Sequence, residues 1–533
     1  MRHVPAIVFI LVLSLSITFV CQRKALFNKY VFEDDCNQYI FPHYRISDSL
    51  LFDDDIFYDY SLRHNTRGVI LIYTLFSHFI DPLLFSKILP FVLCFLSALY
   101  IFLVGEKMKD AFVGFLAALI FIMHSWTFSC FAGGHAKSFV FPLLLSFIFY
   151  LMQRKYLFVA IILSLQIVIY PPIAAVSLLS LLLLSFLIFK QSNANFNFNS
   201  EIKFYIFVVA AGVFSLYFLY LMPDPFKGPL FKLSEASNMP EFFYGGRTPH
   251  FISSLRMLKE DNIAENITGL PVYSFPTWIL LAISFVGFIL LLMKKITIHP
   301  ILNAFCISGV LLFFGAWVMF FQLYSPGRYL KFAPLVFLIF LSALTINKIF
   351  LKGEGGRLRF FFLPLIIILV YLPFLKDETR YFKNEGLYNF LSTLPKNVLI
   401  AGHPEEMDEI PLISKRKVFV QFELSLPYYK SYYKKIAERT KDFFRLYYSE
   451  SNGEVINICN RYHIDYLVIK KAHFRDTYLG QKVFYIEPFN DYIQQIVAKN
   501  IKKGFVFQNV SPQYRVYEDN EFFVVSANDL AFL

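Results

Sequence analysis

Three consecutive carboxylates, Glu33, Asp34 and Asp35, follow the first long apolar run of this chain, at the point where it would leave a bilayer. Ionisable side chains are costly to hold at a membrane margin and mark ligand or reaction sites by default. A carboxylate placed there can take the proton of an attacking hydroxyl or ligate a divalent cation. The alternative is a solvated acidic loop beside a lipid surface. A second acidic cluster, Asp53, Asp54 and Asp55 with Asp59 after it, lies further along the same segment. Asp54 and Asp55 are candidates for substrate binding, against the ordinary use of aspartate in turns and caps ahead of an aromatic run.

Two polar turns can complete a site with these acids. Gly133, Gly134, His135, Ala136, Lys137 and Ser138 sit between two apolar runs. Paired glycines let backbone approach a ligand closely, and Lys137 near a helix start adds charge to free N–H groups, which suits a phosphate. The competing reading is a snorkelling lysine at a glycine turn. Ser325, Pro326, Gly327, Arg328 and Tyr329 form a similar turn. Arg328 can clamp a phosphate with its forked guanidinium, or serve with Tyr329 as an interfacial anchor. His135, Lys137, Arg328 and Tyr329 are the substrate-binding candidates. A fifth cluster, His403, Glu405, Glu406, Asp408 and Glu409, has spacing that admits a metal. Pro404 and Pro411 bracket it as a turn, so it reads as a solvated loop.

The elements that must position these groups are membrane helices. Hydrophobic residues make up 57% of the chain against 17% charged, with mean hydropathy +0.53, which only a bilayer solvent explains. Apolar runs of spanning length fall near 4–20, 83–104, 111–131, 138–152, 156–170, 171–189, 204–222, 275–293, 300–321, 329–347 and 359–375, eleven in all. In the 156–189 region Tyr170, Pro171 and Pro172 mark either a tight turn between two short helices or a break in one irregular pair. With a cytoplasmic N-terminus, one set of connections carries Lys107, Lys109, Arg154, Lys155, Lys190, Lys203, Lys294, Lys295, Lys348, Lys352, Arg357 and Arg359, as the positive-inside bias requires. The long loops 21–68 and 223–274 then lie outside; Arg23 and Lys24 run against the trend. The first span reads as an uncleaved anchor, because Val20 before Cys21 is too large for a lipoprotein site. Cys21 and Cys36 flank the first outer loop, where a bridge can form, and the cysteines show no C-x-x-C or metal spacing.

From 376 onward the composition is that of a soluble domain. It holds 22 Lys and Arg against 20 Asp and Glu, whereas residues 1–375 hold 28 against 19, so the basic excess belongs to the membrane part. That favours anionic lipid or a phosphorylated lipid over nucleic acid. Runs at 397–401, 417–422, 464–469, 482–486, 504–508 and 522–526 predict strands, and 428–448 an amphipathic helix, making a C-terminal α/β domain over 376–533. His124 is the main polar residue at mid-span and reads as a hydrogen-bonded core histidine.

The acid pair after the first span, the long first outer loop, the many spans and the C-terminal domain resemble the GT-C membrane glycosyltransferases, which include oligosaccharyltransferases, protein mannosyltransferases and aminoarabinose transferases. The resemblance rests on DDCNQYIF at 34–41, DPLLFSKILP at 81–90, GGHAKSFVFP at 133–142, YPP at 170–172, PGRYLKF at 326–332 and HPEEMDEIP at 403–411. It implies a GT-C-like polytopic α-helical fold in the cell (inner) membrane, with the C-terminal domain extracytoplasmic. It also implies transfer of a sugar from a polyprenyl-phosphate donor to a glycan, lipid or protein acceptor. A phosphate leaving group needs positive charge more than a general acid, while the acceptor hydroxyl needs a carboxylate. Asp34 is then the base, Asp35 its partner, and Lys137 and Arg328 hold the lipid phosphate. Metal-using relatives carry a second acidic motif in a later outer loop, where this chain has GGHAKS; the expectation is therefore no cofactor, with a divalent metal as the alternative. A transporter or flippase would predict internal repeats and broken, charged helices, and neither is evident. A non-catalytic assembly protein would tolerate neutralising Asp34 and Asp35 together.

Overall fold

The computed structural model describes residues 4–191, 200–222, 224–249, 275–319, 323, 326–350, 356–375, 377 and 379–532. Residues 250–274 of the second long loop, Ser325 and Lys352 lie outside them. Among the described residues seven helices are long and apolar enough to cross a membrane: Val4–Phe27, Pro82–Met108, Pro171–Lys190, Ser200–Leu221, Phe275–Leu292, Pro300–Met319 and Gly327–Ile349. Shorter apolar helices occupy Arg67–Phe76, Ala111–Met123, Ala136–Met152, Tyr156–Ile169 and Leu363–Phe374. With no water to satisfy them, backbone amides in lipid must pair within their own helix, which is why these apolar runs can only be helical. Burial grades the helices: the Gly327–Ile349 window is 83% buried and stands at the centre, whereas Ser200–Leu221 at 22% shows Phe207 and Phe214 to lipid. Pro82–Met108 and Ala111–Met123 meet at two glycines, where a Cβ on Gly105 would lie 2.6 Å from the Cα of Gly114.

Two breaks decide where polar groups sit. The 111–131 run is not one continuous helix: it stops at His124, in extended backbone, and restarts as Ser125–Phe131. Thr127 Oγ1 donates to the carbonyls of Phe121 and His124 (3.0 and 2.7 Å), closing the broken end. The expectation of a hydrogen-bonded His124 fails, since it is fully buried and neither ring nitrogen has a hydrogen-bond partner. In the 156–189 region the tight turn is the outcome, with Tyr170 alone separating Tyr156–Ile169 from Pro171–Gln191. The residue before a proline avoids helical backbone, and a proline opens a helix without losing a hydrogen bond.

The first loop is built rather than open. It holds strand β1 (Val31–Phe32) and helices Cys36–Tyr39, Tyr44–Ser47, Ile56–His64 and Arg67–Phe76. Strand β2 (Arg380–Tyr381) pairs antiparallel with β1, so the segment after the first helix is stitched to the segment after the last. Beyond it, β3 (Leu399–Ala401), β4 (Lys417–Val418), β5 (Tyr466–Lys470), β6 (Arg515–Glu518) and β7 (Phe522–Ser526) form a five-stranded sheet in the order β4-β3-β5-β7-β6, parallel on the β3 side and antiparallel on the β7 side. Helix Lys430–Tyr447 falls where the sequence predicts one. The runs 482–486 and 504–508 are not strands: Phe484, Tyr485, Phe505 and Phe507 are buried as plugs in an aromatic core instead. Edge strand β6 goes unpredicted because only alternate residues are half-buried. One continuous apolar core runs from the membrane helices through Phe41, Phe52 and Tyr60 of the first loop to Leu387, Met407 and Tyr432, so loop and C-terminal segment lie on the same side of the bundle. All six cysteines are free, so no Cys21–Cys36 bridge forms.

Candidate functional site

The backbone carbonyls of Glu33, Asp34 and Asp35 accept from the amides of Cys36, Asn37, Gln38 and Tyr39 at 3.0 to 3.2 Å, making the acids the entry turn of a short helix. The Asp35 side chain makes no capping bond there and points to other partners. Upstream, β1 and β2 fix the turn, and Phe32 stacks on Phe382 with ring centroids 4.3 Å apart. Neighbouring acids thus face different groups. Asp34 pairs with Arg380 of β2 at 2.8 Å, and Asp35 faces the Gly133–Lys137 turn.

That turn requires its glycines. Gly133 and Gly134 have φ of +78° and +59°, in the left-handed region. A Cβ on Gly133 would meet Glu33 Oε2 at 2.6 Å, and one on Gly134 would meet Ser86 backbone at 2.9 Å and Tyr73 Oη at 3.0 Å. Tyr73 Oη donates to the Gly134 carbonyl (3.1 Å) and fixes the approach. The turn delivers His135 Nε2 to 3.4 Å from Asp35 Oδ2 and 3.6 Å from Glu33 Oε2, and Lys137 Nζ to 3.8 Å from Asp35. Burial alone would raise the Asp35 carboxyl, but the adjoining His135, Lys137 and Arg328 outweigh it and hold it well below the usual range. Burial would likewise lower His135, yet Asp35 and Glu33 lift its imidazole above the ordinary value.

Glu33, Asp35 and His135 offer ligand atoms within 4.8 Å of one another, and Glu33 Oε2 and His135 Nε2 are buried without a closed hydrogen bond. Two carboxylates and an imidazole around such orphaned atoms fit a divalent cation. The charge of Arg328 acts on Asp35 and on the phenol of Tyr170 at the helix break. The structure therefore brings Asp35, His135, Lys137 and Arg328 together, with Asp34 beside them on the C-terminal side.

The remaining candidates go elsewhere. Asp55 caps helix Ile56–His64, accepting from the Phe57 amide at 2.9 Å, and burial raises its carboxyl to about 6. Asp54 occupies left-handed backbone (φ +49°) in the turn before it, and both act on Arg439 of the C-terminal segment. Tyr329 is buried and donates to the Leu323 carbonyl at 2.7 Å. The 403–411 cluster is not a solvated loop, because His403 and Asp408 are buried. Asp408 Oδ1 accepts the amides of Phe422 and Glu423, both at 2.9 Å. Glu423 in turn takes Arg247 Nη2 at 3.1 Å and the side-chain amide of Gln38. Burial, with Glu406, Asp34 and Glu423 nearby, lifts Glu409 to about 8. Sequence reasoning gave no role to Arg380, Arg247 or Glu423; each acts across a long stretch of chain that no local pattern reveals. Glu33 was visible only as a member of the acidic run.

The fold is similar to those of an oligosaccharyltransferase and an arabinofuranosyltransferase of known structure. The oligosaccharyltransferase of Archaeoglobus fulgidus, in a crystal structure with zinc and sulfate, matches with a TM-score of 0.50 at 12% identity, covering 92% of this chain and 70% of that one. The same enzyme tethered to an acceptor peptide containing the NVT sequon also gives 0.50, at 10% identity and over 90% and 70% of the two chains. The arabinofuranosyltransferase AftD from Mycobacteria gives 0.52 at 11% identity, over 98% of this chain and 41% of its own. At these identities the likeness is one of fold. No protein-family model matches the chain, and no curated protein matches it.

Proposed function

We propose that this multi-pass membrane protein is a glycosyltransferase that moves a sugar from a polyprenyl-phosphate-linked donor to an acceptor on the extracytoplasmic face. The observation that carries the reading is the convergence of Asp35 with His135, Lys137 and Arg328 beside a second acid, Asp34, on the scaffold of a membrane glycosyltransferase. Residues 1–375 form the transmembrane body, crossing eleven times from a cytoplasmic N-terminus in the cell (inner) membrane, and residues 376–533 an extracytoplasmic α/β domain over the site. That count takes as crossings the seven long helices and four of the five shorter apolar ones, Ala111–Met123, Ala136–Met152, Tyr156–Ile169 and Leu363–Phe374.

In this mechanism Lys137 and Arg328 bind the donor phosphate and stabilise the charge that grows on it as the glycosidic bond breaks. Asp35 holds both cations and His135 in place. Asp34, which Arg380 orients, takes the proton of the acceptor hydroxyl. The test is Asp34→Asn: transfer should fall by about a hundredfold or more while the purified protein keeps its thermal midpoint. Retained activity would remove Asp34 from the base role.

A second reading keeps the reaction and adds a cation, favoured by the orphaned Glu33 oxygen. Glu33, Asp35 and His135 would hold it, and it would supply Lewis-acid neutralisation of the leaving phosphate. Loss of turnover on dialysis against a chelator, restored by a divalent metal, selects this version; undiminished turnover selects the metal-free one.

A further inference from the structure

A break between two membrane helices leaves carbonyls without amide partners, and neighbouring groups have to satisfy them. At the break before Pro171 the Tyr170 amide donates to the Gln166 carbonyl, Tyr220 Oη to that of Ile167 and Thr66 Oγ1 to that of Ile169, each at 2.8 Å. Helix Arg67–Phe76 presses directly on the same place. A Cβ on Gly68 would lie 2.9 Å from the Val168 carbonyl oxygen and 2.5 Å from a side-chain carbon of Ile169. Tyr170 is thus held at φ −145° and ψ 84° by groups from the first loop and from the end of helix Ser200–Leu221.

Its side chain is buried and leans on Phe332, with ring centroids 5.9 Å apart, and Phe332 packs in turn on Trp126 and Phe141. The phenol oxygen meets the cations of the site: it accepts a hydrogen bond from Arg328, and Lys137 acts on it as well. Arg328 rides on the short helix Gly327–Leu330, which packs against Pro171–Gln191. A Cβ on Gly309 would meet the Tyr329 carbonyl at 2.8 Å, so the backbone there has no room to shift. The long side chain is what needs fixing, since an arginine gives up much rotamer freedom when it is ordered. Asp35 attracts the guanidinium by charge, and the Tyr170 phenol adds a directed bond. A guanidinium carries five N–H donors in a rigid fork, so one arm can stay on the phenol while another faces a phosphate.

We propose that Tyr170 is a positioning residue of the transfer, its phenol oxygen holding one arm of the Arg328 guanidinium so that the other is aimed at the donor phosphate. This rests on the glycosyltransferase reading and adds a residue to its donor-binding machinery. Tyr170 acts through Arg328 and touches no reacting atom. Lysine at position 328 would keep the charge but has no fork to divide between phenol and phosphate.

The experiment measures binding of sugar-free polyprenyl phosphate to the purified full-length protein, to Tyr170→Phe, to Arg328→Lys and to the double variant. Phenylalanine keeps the ring against Phe332 and removes only the oxygen. Each single variant should bind about tenfold more weakly, as loss of a hydrogen bond to a charged group implies. The double variant should bind like Arg328→Lys, because the two changes break one interaction. A ligand-free thermal midpoint equal to wild type shows that Tyr170→Phe is folded; should it fail to fold, Thr66→Val, which frees the Ile169 carbonyl, takes its place in the cycle with the same coupling to Arg328→Lys expected. Wild-type affinity in the variant at the break, or losses that add in the double variant, overturns the positioning role while leaving the transferase reading intact. Wild-type affinity in Arg328→Lys overturns it as well, since there is then no aimed arm to hold. Failure of wild type to bind polyprenyl phosphate overturns both.

Discussion

Asp35→Asn should reduce sugar transfer by about a hundredfold to ten-thousandfold with the fold intact. Asparagine keeps the shape of the side chain but removes the charge that His135, Lys137 and Arg328 share. Two consequences add. The cations lose the partner that fixes their geometry, and a small misplacement of phosphate-binding groups is costly to rate. His135 also loses one of the two acid partners that raise its imidazole. Single-turnover transfer with a labelled donor, set beside the thermal midpoint, checks this. Wild-type turnover in Asp35→Asn would sink the site as drawn. Because Asp34 faces Arg380 instead, Asp34→Asn should leave donor binding nearly unchanged, whereas Asp35→Asn should weaken it.

Gly133→Ala is expected to cost about tenfold or more in activity. Its Cβ would lie 2.6 Å from Glu33 Oε2, and alanine at φ +78° carries a backbone penalty of about 1–2 kcal/mol. The carboxylate must move, and the Glu33, Asp35 and His135 constellation opens. On the reading with a cation, Glu33 would supply from the first loop the acid that GGHAKS lacks. The exchange Glu33→Ala with Gly133→Asp should therefore recover much of the activity that Glu33→Ala loses, since aspartate tolerates left-handed backbone better than alanine. A double variant no better than Glu33→Ala would show that the carboxylate cannot be supplied from position 133.

The membrane helices were legible because apolar runs of spanning length have one backbone solution in lipid. The break at Tyr170 was legible too, since Pro171 and Pro172 announce it. The break at His124 was not, because one histidine in a long apolar run carries no helix-stopping chemistry of its own. In the site, the Asp35, His135, Lys137 and Arg328 grouping could be read from polar turns expected on one side of the bundle. Asp55 looked the same in sequence as a ligand-binding acid; only the Phe57 amide at 2.9 Å shows it to be a cap. Glu33 escaped assignment because what defines it is an empty space a hundred positions away, at a glycine. The 403–411 cluster was misjudged since Asp408 is held by the amides of Phe422 and Glu423, and Glu423 in turn by Gln38 and Arg247 from distant parts of the chain.

The pairing of β1 with β2 puts a time order on assembly. Asp34 and Arg380 are separated by 346 positions, so during synthesis the acid turn is made with the first helix while its cation arrives only after the last one has been threaded. A half-made chain in the translocation machinery carries its acids in an unfinished cradle. On the proposed reading competence is conferred late, when the final segment clips onto the first, and a precursor stalled midway would carry out no transfer.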